Sequence, residues 1–124
     1  MFRDCLTNLY TPDLDAALRF YRDLLGFRPT FRYPPEGEPQ HVEVRLGGTT
    51  IALSTYGALA EYGLPPATRG EPFELVVEAD DTDKAIEQLR AAGVPVTREP
   101  WDAPNGQRIA YVADPDGNRV RIYA

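Results

Sequence analysis

Few side chains in this 124-residue sequence could carry out covalent or acid–base chemistry. Cys5 is the only cysteine and His41 the only histidine, and neither stands in a pattern typical of nucleophilic catalysis. Glu43 and Glu74 are two carboxylates that could act as general acid and base if the fold brought them together. The residues therefore leave acid–base catalysis open and give little support to a covalent mechanism.

The stretch "VADPDGNRVRIY", residues 112–123, places two cations on one predicted strand. Arg119 and Arg121 alternate with Val120 and Ile122, so the arginines project from one face and the apolar side chains from the other. The pattern predicts a charged face that lies against solvent, an acidic partner or a ligand.

Composition and charge restrict the partners of the protein. The net charge of −6 argues against nucleic acid, because phosphate binding needs a basic surface. No apolar run reaches the roughly 20 residues of a membrane span, and the N-terminus lacks a signal-like apolar segment. Cys5 has no partner for an internal disulfide and is predicted to be a small strand residue. These features predict a cytoplasmic protein.

One sequence pattern occurs twice. "TPDLDAALRFYRDLLGF" predicts a helix capped by Thr11 or Asp13, and "EADDTDKAIEQLRAAGVPV" predicts a second helix capped by Asp81 or Thr82. The two helices correspond at an offset of 68 residues, and "GGTTIALS" corresponds to "DGNRVRIY" at an offset of 69. The chain is therefore interpreted as an internal duplication.

Each copy predicts a strand, a helix and three further strands, which is an α+β fold. The first module spans residues 1–55, a linker covers 56–71, and the second module spans 72–124. The predicted elements are 4–10, 13–25, 27–33, 40–46 and 49–55 in the first module, and 72–79, 81–92, 94–99, 107–113 and 118–123 in the second.

The twin modules, "DLDAALRFYRDLLGF" and "VADPDGNRVRIY" together resemble the vicinal oxygen chelate superfamily, which includes glyoxalase I, extradiol dioxygenases and bleomycin resistance proteins. The resemblance implies two curved sheets whose concave sides form a cup. It also implies a metal ligand from the first and last strand of each module. The matching positions here are Leu6, Ala52, Glu74 and Arg121.

Those four residues do not suit a metal ion. Leu6 and Ala52 carry no donor atom, and a guanidinium has no lone pair to offer. Glu74 alone is too few ligands for a catalytic divalent ion. We therefore expect no metal or other cofactor, and we expect Glu74 to pair with Arg121, either as a structural ion pair or as a contact for a ligand.

Alternation from these positions predicts the other residues that face the cup. They are Asn8, Tyr10, His41, Glu43, Arg45, Thr50, Ser54, Val76, Glu78, Arg119, Tyr123 and, on the seventh strand, Arg108, Ala110 and Val112. Aromatic residues near loops and strand ends could stack on a flat ligand; they are Phe31, Tyr33, Tyr56, Tyr62, Trp101 and Tyr111. Trp101 is expected to lie on a Pro- and Gly-rich loop and to face the ligand.

The predicted function is the binding of an aromatic small molecule or antibiotic by a homodimer that resembles bleomycin resistance proteins and acts by sequestration. The predicted ligand-binding residues are Asn8, His41, Glu43, Ala52, Glu74, Trp101, Tyr111 and Arg121. The alternative is a glyoxalase- or dioxygenase-like lyase, isomerase or oxygenase that uses a displaced metal or acid–base chemistry without a metal.

Overall fold

The computed structural model describes residues 1, 3–68 and 74–124. The chain divides into two compact units, Met1–Thr68 and Arg69–Ala124. The first unit contains β1 (Thr7–Thr11), α1 (Leu14–Leu18) continued by a π-helical segment (Arg19–Leu24), β2 (Arg28–Tyr33), β3 (His41–Leu46), β4 (Thr49–Thr55) and α2 (Tyr56–Glu61). The second contains β5 (Leu75–Glu78), α3 (Thr82–Ala91), β6 (Val96–Asp102), β7 (Arg108–Ala113) and β8 (Arg119–Tyr123).

The two units share one topology. The sheet of the first unit has the strand order β1-β4-β3-β2, and the sheet of the second has the equivalent order β5-β8-β7-β6. In each sheet the first and last strands of the unit pair in parallel, and the other neighbours pair antiparallel. The α+β fold of two strand–helix–three-strand modules that the sequence predicts is confirmed.

Each sheet buries one face against its helix. In the first unit, Val44 and Ile51 are almost fully buried on the same face as Leu9 and Leu53. In the second unit, Val120 and Ile122 are buried with Ile86 and Leu89 of α3. We call this the helix face of each sheet and the opposite side the open face.

The helices begin in the same way and differ by one residue in length. The Asp13 carboxylate accepts from the backbone N–H of Ala16 at 3.0 Å, and Asp81 accepts from that of Lys84 at 3.0 Å. Gly26 and Gly93 end the helices with a left-handed backbone conformation. They are 67 residues apart, whereas the capping residues Asp13 and Asp81 are 68 apart. The π-helical segment accommodates this extra residue in the first copy without displacing the cap.

The linker and the sixth strand differ from the predictions. Part of the predicted linker is helical, because the Thr55 hydroxyl accepts from the backbone N–H of Ala58 and caps α2. Residues 69–71 of the linker and 72–73 of the predicted fifth strand lie outside the described residues. The prediction that Trp101 lies on a loop is wrong, because it belongs to β6. Pro100 is tolerated there since β6 is an edge strand.

The face assigned to the seventh strand is also wrong. Tyr111 pairs with Arg121 and Val112 with Val120, so Arg108, Ala110 and Val112 lie on the helix face rather than the open face. Arg108 confirms this placement, because it forms an ion pair with Asp83 of α3 at 2.9 Å. Because apolar residues lie on both faces of β7, its sequence does not show which face is buried.

Residues 4–6 of the predicted first strand, 4–10, lie outside β1 (Thr7–Thr11). Cys5 and Leu6 precede β1, and both are exposed. The prediction of a strand cysteine is therefore wrong, and Leu6 does not take part in the first sheet. No helix in the described part of the chain is both long and apolar enough to span a bilayer.

Candidate functional site

A row of polar side chains crosses the open face of the first sheet. Asn8 of β1 pairs with Ala52 of β4, and Ala52 pairs with Glu43 of β3. Two residues further along each strand, Ser54 pairs with His41. Strand pairing therefore brings the four predicted ligand-binding residues of this unit, Asn8, His41, Glu43 and Ala52, onto one face, together with Ser54.

These polar groups form a continuous hydrogen-bond chain. The Ser54 hydroxyl donates to Asn8 Oδ1 at 2.8 Å and lies 2.8 Å from His41 Nδ1. His41 Nε2 lies 2.8 Å from Glu43 Oε2. Because the Ser54 proton points to Asn8, His41 Nδ1 must donate to Ser54. His41 therefore contacts Ser54 through one ring nitrogen and Glu43 through the other, and these two contacts orient its ring.

A cavity of about 360 Å³ opens beside this chain, within the first unit. Its polar wall contains Asn8, His41 and Ser54, and its aromatic wall contains Tyr10, Phe31, Tyr33 and Tyr62. Ala58, Leu59 and Glu61 of α2 and Gln40 complete it. We call it the aromatic cavity. None of the described residues that line it is a lysine or an arginine.

The aromatic wall is accessible to a ligand. Phe31 and Tyr33 stand on β2, and their side chains are 52% and 56% exposed. The Phe31 ring meets the His41 ring edge to face, with 6.1 Å between the centroids. A flat guest could therefore lie on exposed rings while it reaches the imidazole.

In the second unit, the predicted pair of Glu74 and Arg121 is present. Arg121 Nη2 lies 2.5 Å from Glu74 Oε1, and Arg121 Nε donates to the Tyr111 hydroxyl at 3.1 Å. The hydrogen bond with Tyr111 and the charge of Glu74 raise the pKa of Arg121. Arg121 is therefore a permanent cation whose donors already have partners within its own unit.

Trp101 and Tyr111 stack on the same face. Their centroids are 6.0 Å apart, with 24° between the ring planes, and the Arg98 guanidinium carbon lies 3.6 Å from the centroid of the Trp101 ring. Packing within the second unit therefore accounts for a large part of the Trp101 surface. Its predicted role in ligand binding stays a prediction, as do those of the other predicted residues.

The donor set of the metal site that the resemblance implies is incomplete in this chain. Ala52 is fully buried between strands and offers no donor, Leu6 is hydrocarbon, and Arg121 is paired with Glu74. Among the described residues, no three His, Cys, Asp or Glu side chains are grouped as metal ligands. The residues at these four positions do not fit a catalytic metal ion.

The pair of Glu74 and Arg121 is expected to contribute to stability. Arg121→Leu should lower the free energy of unfolding by about 2 kcal/mol, because it leaves a mostly buried carboxylate without its partner. The double variant Glu74→Leu/Arg121→Leu should lose less than the sum of the two single variants. Urea denaturation measures all three. Arg90→Leu, which breaks the exposed pair with Glu99, is the matched control and should cost less than about 1 kcal/mol.

Sequence reasoning left out part of the aromatic cavity. Ser54 was placed on the correct face but not among the ligand-binding residues, and Gln40 and Glu61 were not singled out. Gln40 Nε2 donates to Glu61 Oε1 at 3.0 Å, which joins the strand side of the cavity to α2. A capping residue, Thr55, followed by alanines and a leucine is a sequence signal for a helix. This signal predicts α2, and with it the position of Glu61 beside the cavity.

The chain is similar to known proteins in both sequence and structure. The sequence profile described as Glyoxalase/Bleomycin resistance protein/Dioxygenase superfamily matches residues 6–122. A lactoylglutathione lyase of Haemophilus influenzae is 32% identical over 124 residues, covering 94% of this chain and 87% of the relative. A probable lactoylglutathione lyase of Vibrio cholerae is 29% identical, covering 94% and 86%.

Solved structures agree in fold. A glyoxalase-related enzyme from Fulvimarina pelagi superposes with a TM-score of 0.80 at 26% identity, covering 99% of this chain and 88% of that one. A lactoylglutathione lyase from Agrobacterium tumefaciens gives a TM-score of 0.72 at 28% identity, covering 98% and 92%. The arrangement of the two modules along the chain is thus shared with enzymes.

Proposed function

Because the chain belongs to the glyoxalase/bleomycin resistance protein/dioxygenase superfamily yet lacks the donors of a metal site, we propose that it binds a small conjugated molecule in the aromatic cavity without a metal. The observation that carries this proposal is the juxtaposition of exposed rings with a hydrogen-bonded polar wall in a cavity of about 360 Å³. Concave sites of this size, mainly apolar with a few placed polar groups, are typical of small-molecule binding.

The lining favours a flat ligand that carries a positive charge. Four aromatic rings surround the cavity, Glu61 stands at its α2 side, and no described lining residue is a lysine or an arginine. Aromatic faces attract cations, most strongly where water is excluded. In this proposal the biological role is sequestration of an aromatic small molecule such as an antibiotic, by a homodimer, and no bond of the ligand is broken.

A second candidate is acid–base catalysis as a lyase or isomerase. The names of the relatives support it more directly than they support sequestration, since they are lactoylglutathione lyases. The observation in this chain that favours it is the 2.8 Å contact between His41 Nε2 and Glu43 Oε2, an imidazole beside a carboxyl group. His41 lines the cavity, so its imidazole is within reach of a bound ligand and could act on it as a general acid or base.

Metal analysis tests the premise of both candidates. We expect protein that is exposed to Ni²⁺ or Zn²⁺ and then gel-filtered to retain far less than a stoichiometric amount of either ion, because two of the four family positions are hydrocarbon and a third is a paired cation. Inductively coupled plasma mass spectrometry measures the retained metal, and protein treated with EDTA provides the baseline. Stoichiometric retention would overturn the proposal of a metal-free site.

Two assays separate binding from catalysis. Calorimetric titration with proflavine, a planar aromatic cation, should give saturable binding and raise the melting temperature, whereas anthracene carboxylate, a planar anion, should bind more weakly. Incubation with S-lactoylglutathione should then give no turnover. If turnover occurs without metal and falls about 100-fold or more in Glu43→Gln, the lyase candidate replaces sequestration.

A further inference from the structure

We propose that Ser54, His41 and Glu43 form a catalytic set that hydrolyses esters of flat aromatic molecules in the aromatic cavity. Ser54 is the nucleophile, His41 is the general base, and Glu43 orients the imidazole ring. This activity goes beyond the proposed function, in which no bond of the ligand is broken. It rests on that function in one respect, since the ester must enter the aromatic cavity.

Strand pairing assembles the three residues. Ser54 of β4 pairs with His41 of β3, and Glu43 lies two residues further along β3 on the same face. Ser54 Oγ lies 2.8 Å from His41 Nδ1, and His41 Nε2 lies 2.8 Å from Glu43 Oε2. A hydroxyl at one ring nitrogen and a carboxyl group at the other is the geometry that activates a serine nucleophile. Because the register of two strands creates it, no local sequence motif predicts it.

The nucleophile and the base both face the ligand site. Ser54 and His41 line the aromatic cavity, although the Ser54 residue as a whole is only 2% exposed. The Phe31 ring of the aromatic wall meets the His41 ring edge to face. A flat guest that stacks on this wall can therefore place an ester group against the Ser54 hydroxyl.

Two arrangements of protons fit the distances between these groups. While the Ser54 hydroxyl donates to Asn8, the ring proton lies on His41 Nδ1. When the ring proton lies on Nε2 instead, the Glu43 carboxylate accepts it, Nδ1 becomes an acceptor, and the Ser54 hydroxyl turns to Nδ1. The Asn8 amide can then turn its NH₂ group to Ser54. Neither the strands nor the imidazole ring has to move, so the reactive arrangement is reached by local rotation and a change of tautomer.

The reaction balances without a further reactant except water. Ser54 Oγ forms a bond to the ester carbonyl carbon, and its proton passes to His41 Nδ1. The bond between this carbon and the alcohol oxygen then breaks, and the alcohol leaves with the proton from His41. Water attacks the acyl-serine in the same way, which releases the acid and restores the Ser54 hydroxyl. Glu43 stays ionised throughout and stabilises the imidazolium.

Donors for the negative oxygen of the intermediate stand on the same wall. Asn8 and Tyr10 both line the aromatic cavity, and Asn8 Nδ2 donates to the Tyr10 hydroxyl at 3.4 Å. Tyr10 pairs with Ser54 across β1 and β4. The phenol and the amide are therefore placed beside the nucleophile, where they can stabilise a developing oxyanion.

Hydrolysis of para-nitrophenyl acetate tests the proposal. The wild type should release nitrophenolate over many turnovers, and Ser54→Ala and His41→Gln should each lower kcat about 100-fold or more. Thr50→Ala is the matched control, because Thr50 lies on the same face of β4, accepts from Arg45 and does not line the cavity. It should keep the wild-type rate. Absence of turnover, or equal rates in Ser54→Ala and the wild type, would overturn the proposal.

Glu43 is tested as a positioning residue. Glu43→Gln should lower kcat about tenfold or more with little change in KM, and Glu43→Asp should recover part of the loss because it restores a carboxylate. Rates are normalised to the concentration of folded sites, which calorimetric titration with proflavine measures. Equal normalised rates in Glu43→Gln and the wild type would contradict the role of Glu43.

Covalent labelling identifies the nucleophile without any variant. Diisopropyl fluorophosphate should modify Ser54 and leave Cys5 unmodified, as peptide mass spectrometry measures, and proflavine should protect Ser54. If proflavine binds but Ser54 is not labelled, the catalytic set is wrong while the proposed binding function stands. If Ser54 is labelled and proflavine does not bind, the catalytic set stands and the proposed binding of aromatic cations is wrong.

Discussion

The double variant Phe31→Ala/Tyr33→Ala is expected to weaken proflavine binding about 100-fold, because each lost ring removes stacking and buried contact worth about 1–1.5 kcal/mol. Both rings line the aromatic cavity and are more than half exposed. Their removal should therefore change the free energy of unfolding by less than about 1 kcal/mol. Calorimetry measures the affinity, and thermal unfolding measures the stability.

Tyr56→Ala is the matched control for this double variant. Tyr56 is the first residue of α2 and is exposed, but it does not line the aromatic cavity. It should bind proflavine with the affinity of the wild type. Unchanged affinity in the double variant would contradict the aromatic cavity as the ligand site, and an equal loss in Tyr56→Ala would indicate nonspecific adsorption on surface rings.

The duplication made most of the fold predictable. Asp13 and Asp81 cap their helices through the same type of hydrogen bond, and the two sheets have equivalent strand orders. An alternating strand such as His41–Leu46 also shows which side is buried, since Val42 and Val44 lie on the helix face. Local chemistry and period-two alternation determine these features, so a single sequence is enough.

Features that depend on neighbouring strands could not be predicted in this way. Pro100 suggested a loop around Trp101, because nothing local shows that the strand lies at a sheet edge. The faces of β7 could not be told apart, since Ile109 and Ala110, which point to opposite sides, are both buried. Only its pairing with β8 shows that Tyr111, and not Ala110, shares a face with Arg121.

The sequence predicted which residues share the face of the candidate site, but it did not predict the hydrogen bonds between them. Sequence alternation placed His41 and Glu43 on the same face, and the structure adds the serine between His41 and Asn8. That bridge joins residues 46 positions apart in sequence. A contact over such a distance follows from the register of three strands, which no local pattern determines.

Asp114→Ala is expected to destabilise the second unit by about 3 kcal/mol, because it removes three hydrogen bonds to a buried carboxylate. Asp114 is only 3% exposed. Its Oδ1 accepts from the backbone N–H groups of Asp116 at 2.9 Å and Asn118 at 2.7 Å, and its Oδ2 accepts from Asn118 Nδ2 at 2.7 Å. Together these bonds close the turn that precedes β8.

Asp114→Asn separates the two parts of this effect. The amide oxygen can still accept from the backbone donors, but its NH₂ group faces Asn118 Nδ2, so the loss should be about half that of Asp114→Ala. Asp80→Ala, which removes an exposed carboxylate of the same unit, should change the unfolding free energy by less than about 0.5 kcal/mol. Urea denaturation compares the three variants. Equal stability of Asp114→Ala and Asp80→Ala would show that the turn does not depend on the carboxylate.

The short helix α2 lies in the segment that joins the two repeats, and it has a consequence for how such proteins can diverge. Ala58, Leu59, Glu61 and Tyr62 all come from this segment and its end, and all of them line the aromatic cavity. Insertions or deletions in this linker would leave the hydrogen bonding of both sheets intact while they change the shape of the aromatic cavity. Proteins that carry this duplication could therefore evolve to bind new ligands through changes in the linker alone, at little cost to folding.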